Sequence, residues 1–220
     1  APAMLAFVGH SALAAKLDLS VSLAPESHTM SATAVIALPA GAVTELHLDR
    51  RYEVSTIAIN GRPLVSVGTR RHQWRIEASV APRRIDIAWN GRLDALNQGS
   101  THRETLRADR AVADDQGSFL PAGAYWHPVL LEGFTGYRVA IDLPPAQRGI
   151  VPGNIVNESI GTDRYRATFA FDHRSLGIDL MAGPYRVTSQ DMRTSTGKAI
   201  QLRTYFHPEI GDLANAYIVA

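Results

Sequence analysis

From Leu17 onward apolar residues recur at every second position, with Leu17, Leu19, Val21 and Leu23 alternating with Asp18, Ser20 and Ser22. A period of two is that of a β-strand, whose successive side chains point to opposite faces, so one face of this run is predicted in a core and one in solvent. Residues 25–29 turn the chain into a second alternating run at 31–38, predicting a hairpin. Further runs at 43–48, 54–59, 74–78 and 85–89 are bounded by Gly, Pro, Asn or paired Arg. Asn60-Gly61 predicts a tight turn, because both residues tolerate the positive φ that short hairpins need.

Residues 93–117 lose the alternation and become polar, so an irregular excursion is expected there, with a short helix over 103–110. Strands are predicted again at 137–143, 165–171, 178–181, 185–189 and 200–206, the last pair joined by a turn at Ser195, Thr196 and Gly197. Only residues 209–219 carry helical spacing, where Ile210, Leu213, Ala214, Tyr217 and Ile218 make one apolar stripe behind Pro208. Such a stripe is exposed unless something packs on it, and downstream sequence is the expected partner. The strands on either side of Pro144-Pro145 are alike, and no internal repeat is visible. The expected organisation is an N-terminal segment at 1–16, one all-β domain at 17–208, and the start of a helix at 209–220.

The 220 residues are 45% hydrophobic and 20% charged, enough to bury a core and ordinary for a folded chain. A net charge of +1 offers no broad field to a polyanion. The doublets Arg50-Arg51, Arg70-Arg71 and Arg83-Arg84 read as solvated strand ends, so no nucleic-acid partner is expected. With no cysteine, disulfides and thiolate chemistry drop out while the compartment stays open. The apolar start at 3–8 followed by small residues at 11–15 is like the tail of a signal peptide and too short to span a bilayer, which suggests an exported or envelope-associated protein with no transmembrane segment here.

Candidate chemistry is sparse. Gly9-His10-Ser11-Ala12 approaches a nucleophile elbow but places Leu13 where the second glycine is required. Zinc catalysis needs several imidazoles or carboxylates on one ion, and no H-E-x-x-H occurs. His28, His47, His72, His102, His127, His173 and His207 stand singly, and only Glu26 with His28 and His102 with Glu104 could share a strand face. Asp114-Asp115 could raise a carboxyl pKa by mutual repulsion, though adjacent aspartates more often cap a turn. Gly197-Lys198 lacks the glycine spacing of a phosphate loop, and Asn157-Glu158-Ser159 is a formal glycosylation sequon. No catalytic residue, metal ligand or cofactor is expected within this stretch.

Several segments, in order, resemble a known family. They are the strand pair 17–38, Val54 to Leu64 with its Asn60-Gly61, Ile85-Asp86-Ile87-Ala88-Trp89-Asn90-Gly91, and Phe119-Leu120 before Tyr125-Trp126-His127-Pro128. Tyr137 to Pro144, Met181-Ala182-Gly183-Pro184-Tyr185 and Tyr205-Phe206-His207-Pro208-Glu209 complete the set. From about Leu17 the chain resembles the N-terminal β-domain of gluzincin zinc aminopeptidases, the relatives of aminopeptidase N. The resemblance implies a saddle-like antiparallel β-sandwich with a short C-terminal helix, packed against a zinc-binding catalytic domain that follows in the chain. It implies that zinc and catalysis belong to that other domain, and that this one closes the cleft over peptide N-termini. In the family a glutamine or glutamate of the β-domain helps to bind the substrate's free amino group, and Gln116 is the candidate here.

The leading expectation is therefore a non-catalytic, cleft-forming module of a zinc metallo-aminopeptidase-like protein. The alternative is a stand-alone β-sandwich binding carbohydrate or protein, with Trp74 and Trp126 as exposed stacking platforms.

Overall fold

A computed structural model describes residues 15–66, 71–96, 99 and 110–218. The elbow-like segment at 8–12, the helix expected at 103–110 and the pairing of His102 with Glu104 lie outside the described residues, apart from Arg110.

The alternating runs become strands with their apolar sides turned one way. In β1 (Lys16–Ala24), Leu17, Leu19, Val21 and Leu23 are buried while Lys16, Asp18 and Ser20 are exposed. Strands β2 (Thr29–Leu38), β7 (Arg83–Arg92), β11 (Gly136–Leu143) and β14 (Tyr165–Phe171) repeat this pattern. With β4 (Tyr52–Ile59), β5 (Arg62–Pro63) and β13 (Asn154–Ile160) they form one eight-stranded sheet in the order β13-β14-β11-β1-β2-β7-β4-β5. One face of a largely antiparallel sheet can remain in water when the other is covered. The solvated face carries the Asp142 carboxylate between Arg164 at 2.6 Å and Arg166 at 3.4 Å, with Arg164 also donating to Ser22 Oγ at 2.9 Å.

Two small sheets cover the apolar side. One is β10 (Val129–Leu130), β3 (Thr44–Asp49) and β6 (Arg71–Ile76), which contributes Leu46, Leu48, Trp74 and Ile76 to the core. The other orders β12 (Arg148–Ile150), β15 (Leu180–Gly183), β9 (Gly117–Leu120) and β8 (Val112–Asp114), and buries Leu120, Leu180 and Ala182. A hairpin of β16 (Arg186–Arg193) and β17 (Ala199–Phe206) follows, then the short helix α1 (Leu213–Ile218).

The turn chemistry matches the sequence. Asn60 and Gly61 take φ of 48° and 79° between β4 and β5, and Asn60 Oδ1 accepts from the Arg84 backbone N–H at 2.9 Å. Gly197, φ 82°, closes the β16–β17 turn.

The all-β fold is the one expected, and four of its details differ. The sandwich is not wholly antiparallel: β1 and β11 pair in parallel, because the chain returns to the centre of the large sheet only after building a small sheet on its face. The described end of the polar stretch at 93–117 forms the β8–β9 hairpin, with Asp115 and Gln116 in its turn. Strand β13 was not foreseen because it is an edge strand whose burial lacks alternation and whose register shifts between Ile155 and Asn157. Helix α1 starts at Leu213, later than the apolar spacing suggested, since Pro208–Ile210 forms a 3₁₀ turn first.

The layers meet at a buried chain of hydrogen bonds. Trp89 Nε1–H, from the large sheet, donates to the Trp126 carbonyl at 3.0 Å. Trp126 Nε1–H donates to the Ile178 carbonyl at 2.9 Å, and the Ile178 N–H donates to His127 Nε2 at 2.9 Å. His127 Nδ1–H is left to donate to the Pro128 carbonyl at 2.8 Å. The neighbouring Asp179 Oδ1 accepts from the Ala122 N–H at 2.7 Å. The loop joining the two small sheets is thereby fastened to the loop joining β14 to β15. Burial holds the His127 imidazole neutral and pushes its pKa down to about 4, against a weaker opposing pull from the Pro128 carbonyl and Asp179.

Replacing Trp126 with Phe keeps an aromatic ring but leaves the buried Ile178 carbonyl unpaired, which costs about 1–3 kcal/mol. A urea titration should show a lower midpoint at unchanged slope. Between the ordinary histidine value of 6.5 and about 4, the unfolded chain binds a proton at His127 that the folded chain refuses. The contribution of His127 is therefore complete above pH 6.5 and is lost as pH falls towards 4, with a slope of up to about 1.4 kcal/mol per pH unit. The same titration repeated across this range should show that slope in the natural chain and its absence in His127→Gln.

Candidate functional site

Gln116 sits at the tip of the β8–β9 hairpin with its side chain exposed. The turn beneath it is built by Asp114, whose Oδ1 accepts from the backbone N–H of Gln116 at 2.9 Å and of Gly117 at 3.2 Å. The other oxygen of Asp114 accepts from the Leu96 N–H at 3.2 Å. Asp114 is thus a turn cap, which satisfies backbone donors without water. Behind the turn, Phe119 and Leu120 pair with Met181 and Leu180, and His28 Nδ1 bonds the Ala113 carbonyl from the β1–β2 side. Gln116 is presented by a stiff platform.

A second polar group lies where β13, β14 and β17 meet. Glu158 Oε1 accepts from Tyr165 Oη at 2.7 Å and from Arg203 at 3.0 Å. Partial burial alone would raise the Glu158 pKa, but the hydrogen bonds from Arg203 and Tyr165 and the charges of Arg203 and Arg148 outweigh it, leaving the carboxyl below its usual range. Burial and the Glu158 carboxylate together push the Tyr165 hydroxyl up. Arg148 lies over the Tyr165 ring, and Tyr185 meets Tyr205 and His207 edge-on. The cluster fastens the β16–β17 hairpin to the body.

A third group lies on the outer side of the three-stranded sheet. Glu45 takes a hydrogen bond from Gln73 at 2.8 Å and lies 3.4 Å from His47, while the Arg71 guanidinium stacks 3.6 Å above Tyr125.

The histidines stay apart. His72 bonds the Tyr52 carbonyl and stacks on Trp74, His173 meets Phe171 edge-on, and His28 turns to Ala113 rather than to Glu26. Among the described residues no three His, Asp or Glu side chains converge as a metal site would require. No described helix is long and apolar enough to cross a membrane.

The stacking platforms expected for a binding sandwich are corrected. Trp74 and Trp126 are 2% and 0% exposed, because each fills the core beneath a small sheet, and Trp126 spends its N–H on Ile178. Sequence reasoning missed the Glu158–Arg203 contact, whose partners lie far apart in the chain. Glu158 stood out only as the middle of a sequon, and neither residue carried a local signal of the other.

No family profile and no curated sequence matches the chain. Solved structures do match in fold. The M1 zinc metallopeptidase from Deinococcus radiodurans superposes with a TM-score of 0.61 at 15% identity, over 86% of this chain and 46% of that one. A two-domain M1 zinc metallopeptidase bound to L-tryptophan gives 0.62 at 14% identity, over 89% and 48%. Its counterpart bound to L-arginine gives 0.62 at 14% identity, over 86% and 46%. The chain therefore spans about half the length of these proteins, and it has the all-β fold of the part of the M1 zinc metallopeptidases that it covers.

Proposed function

We propose that this chain is the non-catalytic N-terminal domain of an M1-type zinc metallo-aminopeptidase-like protein, shaping the substrate cleft for peptide N-termini. The observation that carries this reading is the fold match over 86–89% of the chain to proteins about twice as long. Zinc and the hydrolytic groups then belong to a domain following in the chain, which is this domain's partner, and a peptide is the shared substrate.

The physical role suits what the chain offers. An exopeptidase must block its cleft beyond the terminal residue and recognise a cationic amine. A rigid β-platform with a capped turn can do both without chemistry of its own. Gln116 is the group proposed to meet the amine. Its side-chain carbonyl is an acceptor, and the Asp114 cap fixes the backbone that carries it.

The full-length gene product should bind zinc stoichiometrically and release amino acids from aminoacyl reporter substrates, while the 220-residue chain alone should do neither. Hydrolysis by the isolated chain, or a zinc-free full-length protein, sinks the reading. In the full-length protein Gln116→Ala should raise KM about tenfold, the loss of one hydrogen bond to a charged group. Its kcat should change little. An unchanged KM removes Gln116 from the amine site and leaves the wider reading intact.

A further inference from the structure

We propose that a hollow on the solvated face of the eight-stranded sheet, lined by Arg92 and Glu53, binds a small zwitterion of the α-amino acid class. This assignment rests on residues of this chain alone and stands apart from the function proposed above.

The hollow lies beside the β1–β2 turn, where β2 and β4 begin and β7 ends, and it measures about 610 Å³. Small-ligand pockets run from roughly 300 to 1,000 Å³. The strand register builds its lining. Ser31 and Glu53 stand on either side of Asn90, and Thr29 stands opposite Arg92. Side chains alternate along β7, so with Ile87 and Trp89 buried, Asn90 and Arg92 both face water. Gly91 between them leaves its core side to Tyr52, since a Cβ there would stand 2.5 Å from the Tyr52 ring. The buried ring therefore lies against the backbone that carries Asn90 and Arg92, and the floor of the hollow is stiff.

Charge decides the ligand. Three charged side chains line the hollow, Arg51, Glu53 and Arg92. Arg51 is already answered, 3.2 Å from Asp49 and 3.9 Å from Asp94. Arg92 and Glu53 are exposed, and among the described residues neither side chain has an ion pair or hydrogen bond. They are diagonal neighbours on paired strands, a separation of roughly 7–8 Å between Cα atoms. The Asn90 amide adjoins both, opposite Glu53 in register and two positions before Arg92. Elsewhere on this face Arg84 and Asp86 close to 2.7 Å, whereas here opposite charges stay apart around a space.

The open lining thus offers one cation, one anion and an amide that can donate or accept, a set without net charge. A bare anion would meet Glu53, and a bare cation would meet Arg92. A molecule with a carboxylate and an ammonium on one carbon answers both. The guanidinium of Arg92 takes the carboxylate through paired hydrogen bonds, and the Glu53 carboxylate takes the ammonium. Asp18 and Arg138 form a second open pair on this face, opposite each other in register. Their hollow is only about 260 Å³ and its floor holds no side-chain amide, which makes Arg138 the natural control.

A nuclear magnetic resonance titration of the labelled 220-residue chain with L-alanine at neutral pH tests the site. The amides of Ser31, Asn90 and Arg92 should shift, with a Kd of about 1 mM or below. N-acetyl-L-alanine lacks the ammonium and L-alanine methyl ester lacks the carboxylate, so each should bind about tenfold more weakly. Arg92→Ala should weaken L-alanine about tenfold and leave the methyl ester as it was, and Glu53→Gln should weaken L-alanine alike and leave N-acetyl-L-alanine as it was. Arg138→Ala should alter none of these affinities. All three side chains are exposed, so an unchanged thermal midpoint separates lost binding from lost folding. No shift with L-alanine on the order of 50 mM overturns the site. Equal affinity for L-alanine and its two blocked forms overturns the zwitterion, and full affinity in both Arg92→Ala and Glu53→Gln overturns the location. None of these outcomes bears on zinc binding or hydrolysis by the full-length protein.

Discussion

The peptide unit of Ile178 is held at both ends by adjacent side chains. Trp126 takes its carbonyl and His127 takes the N–H, and Trp89 reaches from the large sheet to the carbonyl of Trp126. All of these groups are buried, so each bond left unmade would leave a polar atom without water or partner. Because three sheets converge here, this small network sets how the layers sit on one another. A neutral imidazole is essential to it, since Nε2 must accept while Nδ1 donates. The same condition explains why a histidine in this position is unavailable for catalysis or metal binding: both its nitrogens are already engaged.

The layered arrangement also decides where function can reside. The eight-stranded sheet spends its apolar face on the two small sheets and turns a face of Ser, Thr, Ala and paired charges to water. The polar clusters that do form, around Glu158 and around Glu45, are fastenings between elements, with each charge answered by a neighbour. What the fold presents outward is a capped turn carrying Gln116 and a hollow lined by Arg92 and Glu53.

Much of this was legible in the sequence because one-sided antiparallel strands write their burial into a period of two. Strands β1, β2, β7, β11 and β14 were readable for that reason, and Asn60-Gly61 and Gly197 marked their turns by backbone preference alone. The period fails where burial is not one-sided. β13 is an exposed edge with a bulge, and β8 and β9 are short strands around a polar turn. Trp74 and Trp126 misled for a related reason: a tryptophan in a short strand or loop shows nothing of which way its ring points until the sheets are stacked. The bonds of His127 were invisible, since its partners are backbone groups, one of them 51 positions away. Gln116 was reached through family resemblance, and its surroundings show how it is held without by themselves assigning its task.

The parallel pairing of β1 with β11 bears on how the molecule comes into being. The first strand cannot finish its hydrogen bonding until a segment about 120 positions later has arrived, as the bond from Thr135 to the Ala15 carbonyl marks at its start. Closing so long a loop is entropically demanding, and topologies dominated by distant contacts assemble slowly. On the ribosome the hairpin β1–β2 would emerge with both edges bare, and that of β1 would stay so after β7 had covered β2, an invitation to pair wrongly with other nascent chains. The seam at the middle of the sheet can therefore close only after β11 has been made, and until then the bare edge of β1 needs shelter from wrong partners.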